Sequence, residues 1–159
     1  MKPTVLETIA PLLGQDLRLE YALAAGFFED ADLGSGRRPS VPAARDLTLV
    51  DGLDNITQAI ANRLKTRKGE LAGLGHPDYG SRHHELIGEP NVERTRNLVK
   101  LYVLQALRDE PRIEKVLAAT VRPEHLPPRD SVRIEITVQL VRVSPPVNLV
   151  VPFSFGAAP

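Results

Sequence analysis

The spacing of apolar residues changes at Pro111, and that change constrains the fold more than any motif. Before it, Val92, Thr95, Leu98, Val99, Tyr102, Val103, Ala106 and Leu107 recur at three and four residues and cover one broad helical face. After it, Val132, Ile134, Ile136, Val138 and Leu140 alternate with Arg133, Glu135, Thr137 and Gln139, the pattern of a strand buried on one side. Val147, Leu149, Val151, Phe153 and Phe155 repeat the alternation. Ser144-Pro145-Pro146 lies between the two runs, which predicts an antiparallel pair. The second half of "EKVLAATVR" reads as a third strand. Pro111 ends the helix because proline disfavours helical geometry in the residue before it and has no amide hydrogen to donate.

A second helical stripe precedes this one. Leu53, Ile56, Ile60 and Leu64 fall on one side of a helix whose exit carries Arg63, Lys65, Arg67 and Lys68 ahead of Gly69. Basic residues suit the negative end of the helix dipole and glycine suits the left-handed cap, so the cluster reads as a helix stop. The expectation is an α+β domain, helices first and a small antiparallel or mixed sheet of about three strands last.

The first 46 residues differ in character. "TVLETIAPLL" and "LRLEYALAAGFF" read as two short helices, and "DLGSGRRPSVPAARD" has the Gly, Pro and Ser content of a linker. A boundary near residue 46 therefore divides an N-terminal helical extension, 1–46, from a main domain, 47–159.

Lys and Arg total 20, as do Asp and Glu, so no global field draws the chain to nucleic acid or an anionic membrane. The absence of Cys excludes disulfides, thiolate metal sites and thiol nucleophiles, and fits a cytoplasmic protein. "MKPTVLETIAPLLGQ" is broken by Glu7 and Pro11 and does not read as a secretory signal, and no segment approaches membrane-spanning length.

Enzyme chemistry finds little support. Glu70, Asp78, Glu85 and Glu89 lie close in sequence, as a glycosidase pair would. Aromatic residues, however, are only 4% and Trp is absent, which leaves few stacking platforms for sugar rings. His76, His83 and His84 lack the i, i+4 spacing that places two ligands on one helix face. Gly73, Gly75 and Gly80 match no phosphate or dinucleotide loop, and Ser81 lacks a G-x-S-x-G context. No catalytic residue, metal site or cofactor is expected.

The segment "LRDEPRIEKV" places an acid and a base on either side of the proline that ends the long helix. "RLKTRKGE", "PDYGS", the long helix closing on "EPRI" and the terminal hairpin occur in an order that resembles the sheath-initiating baseplate proteins of contractile injection systems. That family spans contractile phage tails, type VI secretion systems and phage-like toxin-delivery particles, and the similarity covers residues 47–155. The resemblance implies that Glu110, Pro111 and Arg112 hold the protein in the baseplate, where a rigid proline would preorient the charges; alternatively the two charges pair with each other. It also implies a fold like the strand-exchanging part of the sheath subunit, with the C-terminal hairpin taking part in strand addition, either through Val147, Asn148, Leu149, Val150, Val151, Pro152 and Phe153 or through the opposite edge of the sheet. Pro152 suits a sheet edge, either one that accepts another chain or one protected from pairing.

The implied partners are baseplate wedge proteins, the sheath subunit and the inner tube, in several copies, without nucleic acid or membrane insertion. The implied role is to join baseplate to sheath and template the first sheath ring. Some members are labelled lysozyme-like, so a peptidoglycan hydrolase is the second expectation and a generic α+β interaction domain the third. The first 46 residues and the Pro-rich "RPEHLPPRD" depart from the family pattern and inherit no role from it.

Overall fold

The computed structural model describes residues 13–24, 27–38, 41–125 and 129–156. The chain divides into two compact units, residues 1–58 and 59–159, with the division inside the first helix.

The second unit is the expected α+β arrangement. Helix α1 runs Gly52–Lys65 and helix α2 Glu93–Arg108. The sheet strands β7 (Ile113–Pro123), β8 (Ser131–Leu140) and β9 (Val147–Ser154) follow, all antiparallel, in the order β7-β8-β9. Strand β7 covers the whole of "EKVLAATVR", more than sequence alternation gave it, and bulges twice where its register slips against β8. Ile60 and Leu64 from α1, Val99, Val103, Ala106 and Leu107 from α2, and the even residues 132–140 of β8 are almost wholly buried. These are the positions that the two periods select. Strand β9 buries Leu149, Val151, Phe153 and, just beyond its end, Phe155. Between the helices the chain forms a 3-10 turn, Ala72–Leu74, and a second, Arg82–Leu86. Gly80, at φ +100°, lets Ser81 form a parallel bridge to Arg67, and a Cβ there would lie 2.7 Å from the carbonyl oxygens of both Thr66 and Arg67.

The described residues of the first unit correct the expectation of a second N-terminal helix. "LRLEYALAAGFF" is not a helix. Most of it lies in the antiparallel strands β2 (Leu19–Ala24) and β3 (Phe27–Leu33). Most of the expected linker forms β4 (Ser35–Arg38) and β5 (Val41–Leu47), and β1 (Gln15–Leu17) pairs with β6 (Leu49–Asp51). Of "TVLETIAPLL" only Leu13 is described; the rest of that expected helix lies outside the described residues. Alternating Leu, Glu, Tyr and Ala suits either period over so few residues, and the pairing geometry of the three stems decides for strands. Asn55 and Gln58 tie α1 to the first stem: Asn55 Nδ2 donates to the Leu13 carbonyl (2.9 Å), while the Gln58 amide bonds Leu17 O and Leu19 N (both 2.8 Å).

Candidate functional site

Glu110, Pro111 and Arg112 form the corner between α2 and β7. The helix closes with Glu110 N–H donating to the Leu107 carbonyl (3.2 Å), and the turn continues with Ile113 N–H donating to Glu110 O (3.0 Å). Neither bond needs an N–H from Pro111, so proline is accommodated there. Arg112 O then accepts from Val141 N–H (3.0 Å), which fastens the corner to the end of β8.

The two charges have unlike surroundings. The Glu110 side chain is 6% exposed and points inward. Its Oε1 accepts from Arg112 Nε at 2.6 Å, and its Oε2 lies 3.6 Å from an Arg63 terminal nitrogen. Arg112 is 29% exposed, so its charge stands at the surface while Glu110 holds its inner edge. Arg63 is a buried third member, 10% exposed, with its guanidinium 4.5 Å from the centre of the Tyr79 ring. Its Nε, buried, has no hydrogen-bond partner, so Arg63 relies on Glu110 and the ring. Sequence reading assigned Arg63 to the helix stop. A partner 47 residues away leaves no periodic trace, although a cation within the buried stripe of α1, one residue before Leu64, was a signal that could have found it.

Beside this corner the strand pair β8/β9 ends the sheet. Phe155 N–H donates to Asp130 O (2.9 Å), and the register carries that pairing along the ladder at Val132/Phe153, Ile134/Val151 and Ile136/Leu149. Odd residues of β9 therefore bond inward to β8, and the backbone groups of Asn148, Val150, Pro152 and Ser154 point to the outer edge. Pro152 thus occupies an outward position, where its missing N–H costs no ladder bond. Val150, 57% exposed, is the most open apolar residue of the strand. Of the expected strand-addition residues, Asn148, Val150 and Pro152 belong to this edge, whereas Leu149, Val151 and Phe153 belong to the core and Val147 is half-buried.

His83, His84, Glu70, Asp78 and Glu85 are engaged locally. His83 is buried, with Nδ1 2.8 Å from Ser81 Oγ and its ring edge-on to Phe153 at 4.6 Å; burial, with the neighbouring His84, depresses its pKa to about 3. His84 Nε2 lies 2.8 Å from the Leu64 carbonyl. Glu85 is held by Arg82 through two 2.9 Å bonds that keep its carboxyl below its ordinary pKa. Glu70 accepts from Arg67 N–H, and Asp78 lies 3.6 Å from Lys68 Nζ. Among the described residues no group of three or more His, Asp or Glu could hold a metal ion, and no helix is long and apolar enough to cross a membrane.

The family model described as Baseplate wedge protein gp25 matches residues 50–144, more than half of the chain. A solved structure from Geobacter sulfurreducens, provisionally described as a tail lysozyme, shares 27% identity with this chain. The match covers 64% of this chain and 88% of that one, with a TM-score of 0.55. No curated protein matches.

Proposed function

The chain belongs to the baseplate wedge protein gp25 family, and from that premise we propose that it joins the baseplate wedge to the sheath and templates the first sheath ring by strand addition. Membership makes it a structural component of a phage tail-like particle, assembled with other baseplate proteins in multiple copies. The finer reading has two parts. Residues 47–159 act as the sheath-initiating domain, with 1–46 appended. Within that domain the Glu110-Pro111-Arg112 corner seats the protein in the baseplate, and the outer edge of β9 receives a strand from the sheath.

One observation carries the second part. Strand β9 is the last strand of its sheet, and its outward groups are the N–H of Asn148, Val150 and Ser154 with the carbonyls of Asn148, Val150, Pro152 and Ser154. Strand addition uses such a row, and the gap at Pro152 limits an incoming strand to a short segment. Each backbone bond contributes about 0.5–1.5 kcal/mol net, so attachment gains its strength from several bonds in several copies.

The first part is supported by division of labour at the corner. Glu110 and Arg63 hold the corner from inside, and Arg112 presents a guanidinium whose direction the 2.6 Å bond to Glu110 fixes. Arg112→Ala is expected to fold cooperatively, with a midpoint lowered by the loss of Glu110's 2.6 Å partner, and to be missing from assembled particles. Normal incorporation of the variant overturns the docking role, and unfolding assigns the charge to this chain's own core.

The solved relative's provisional name raises a lysozyme reading. Glu70, Asp78 and Glu85 each make local contacts, which supports the structural reading. Purified protein is expected to leave the turbidity of a cell-wall suspension unchanged. A fall in turbidity that is lost in Glu→Gln variants overturns that expectation.

A further inference from the structure

The first unit contains a three-way junction of stems, β1/β6, β2/β3 and β4/β5. At its centre Arg18 N–H donates to the Thr48 carbonyl (2.9 Å), Thr48 N–H to that of Gly34 (2.9 Å), and Gly34 N–H to that of Arg18 (2.8 Å), a closed ring of backbone bonds. The same dipeptide leads into each corner: Asp16-Leu17, Asp32-Leu33 and Asp46-Leu47. In each, the Leu N–H donates to the preceding Asp Oδ1, at 2.7, 2.8 and 2.9 Å. These amides point away from the ring, and a short side-chain acceptor satisfies them. The unit is an internal three-fold repeat that the spacing of Asp-Leu marks in the sequence.

Register gives the junction two unlike sides. Directly opposed residues share a side, and Leu17 opposes Leu49, Leu19 opposes Leu33, and Leu47 opposes Ser35. Alternation sends Arg18, Gly34 and Thr48 to the other side, where they crowd the axis. A Cβ on Gly34 would lie 2.7 Å from Thr48 Oγ1 and 3.2 Å from Arg18 Cγ. The equivalence of the three corners then gathers five leucines on one side. Leu17 is 37% exposed, Leu33 45%, Leu47 46% and Leu49 54%. Scattered exposed leucines need no explanation, but a cluster on one side marks a surface that another molecule covers.

Charge selects that molecule. The next pair along the β4/β5 stem on the leucine side is Arg37 opposite Arg45, both exposed. Arg45 Nη2 donates to the Ser35 carbonyl (3.3 Å), but neither arginine forms an ion pair among the described residues. Like charges directly opposed weaken a ribbon, and a partner's carboxylate between them would relieve the repulsion. The far side is different in kind, with Asp16, Glu20, Asp32 and Asp46 exposed. Two arginines at one end of a leucine patch fit a protein segment better than a phosphate backbone or lipid surface, which would require basic groups across the whole contact.

The geometry points to the leucine side of the junction as the docking surface for a neighbouring baseplate protein, through an apolar segment with a carboxylate that bridges Arg37 and Arg45. This rests on the baseplate reading above. The test places a photo-reactive phenylalanine analogue at position 47 of the full chain in cells that assemble the particle. Illumination of purified particles is expected to join it to a different particle protein, at a stretch where apolar residues adjoin Asp or Glu. Arg37→Glu with Arg45→Glu should cut adduct yield by about tenfold. Leu33→Asp should do the same while leaving the thermal midpoint of the purified protein unchanged. An adduct to a second copy, to the same chain, to lipid or to nucleic acid overturns the inference, as does no adduct in particles that contain the chain. Absence of the chain from particles, read by mass spectrometry of the same sample with the unsubstituted protein, contradicts the baseplate reading itself.

Discussion

Removing the Glu110 carboxylate should be among the costliest single changes to the second unit. Glu110→Ala leaves Arg63, 10% exposed, without its counter-charge, and frees Arg112 from the 2.6 Å bond that orients it. Breaking a buried pair from one side costs about 3–5 kcal/mol, because the remaining charge stays desolvated. A long separation to Oε2, 3.6 Å, and the Tyr79 ring beside Arg63 argue for the lower half of that range. For a chain of this size about 3–4 kcal/mol corresponds to about 6–16 °C in midpoint. Urea unfolding of Glu110→Ala, Arg63→Met and the double variant separates the terms. Arg63→Met removes the cation but keeps its apolar stem, so the double variant should recover most of what Glu110→Ala loses. Additive losses, or a Glu110→Ala variant within about 1 kcal/mol of the parent, would refute the claim that Arg63 depends on Glu110.

Two further predictions concern stability. His83 has a folded pKa of about 3 against 6.5 unfolded, so the unfolded chain binds the extra proton; stability is full above pH 6.5 and falls as pH drops toward 3, by about 2 kcal/mol at pH 5. Denaturation midpoints across that window should flatten in His83→Gln, with His84, also lowered, supplying a smaller residual slope; an unchanged slope removes His83 as the cause. Gly80→Ala should cost at least about 1–3 kcal/mol in urea unfolding, because its Cβ would meet two carbonyl oxygens at 2.7 Å in a positive-φ conformation; a neutral substitution would mean that the Arg67–Ser81 bridge gives way freely.

What the sequence disclosed follows from what leaves a period. Burial of α2 on one face and of β8 on alternate residues writes itself as spacing, so Val99, Val103 and Leu107, and Ile134, Ile136 and Val138, were legible as core. Alternation also identified the outward residues of β9, and its backbone parity then gave Pro152 its place. The first unit was not legible by these means, because strands of three to seven residues are too short for either period to dominate. Its signal lay in the recurrence of Asp-Leu at 16, 32 and 46, which periodicity does not capture. The acid and base around Pro111 were visible, but the inward turn of Glu110 depends on Arg63, which belongs to a different element.

Amide exchange along β9 tests the sheath-templating role most directly. In the free protein the outward amides of Asn148, Val150 and Ser154 should exchange quickly, and the inward amides of Leu149, Val151 and Phe153, bonded to β8, should exchange slowly. Addition of a sheath strand in assembled particles should slow the outward set by about tenfold or more and leave the inward set as it was. Equal exchange of Asn148 and Val150 in the free and assembled states would contradict strand addition at this edge.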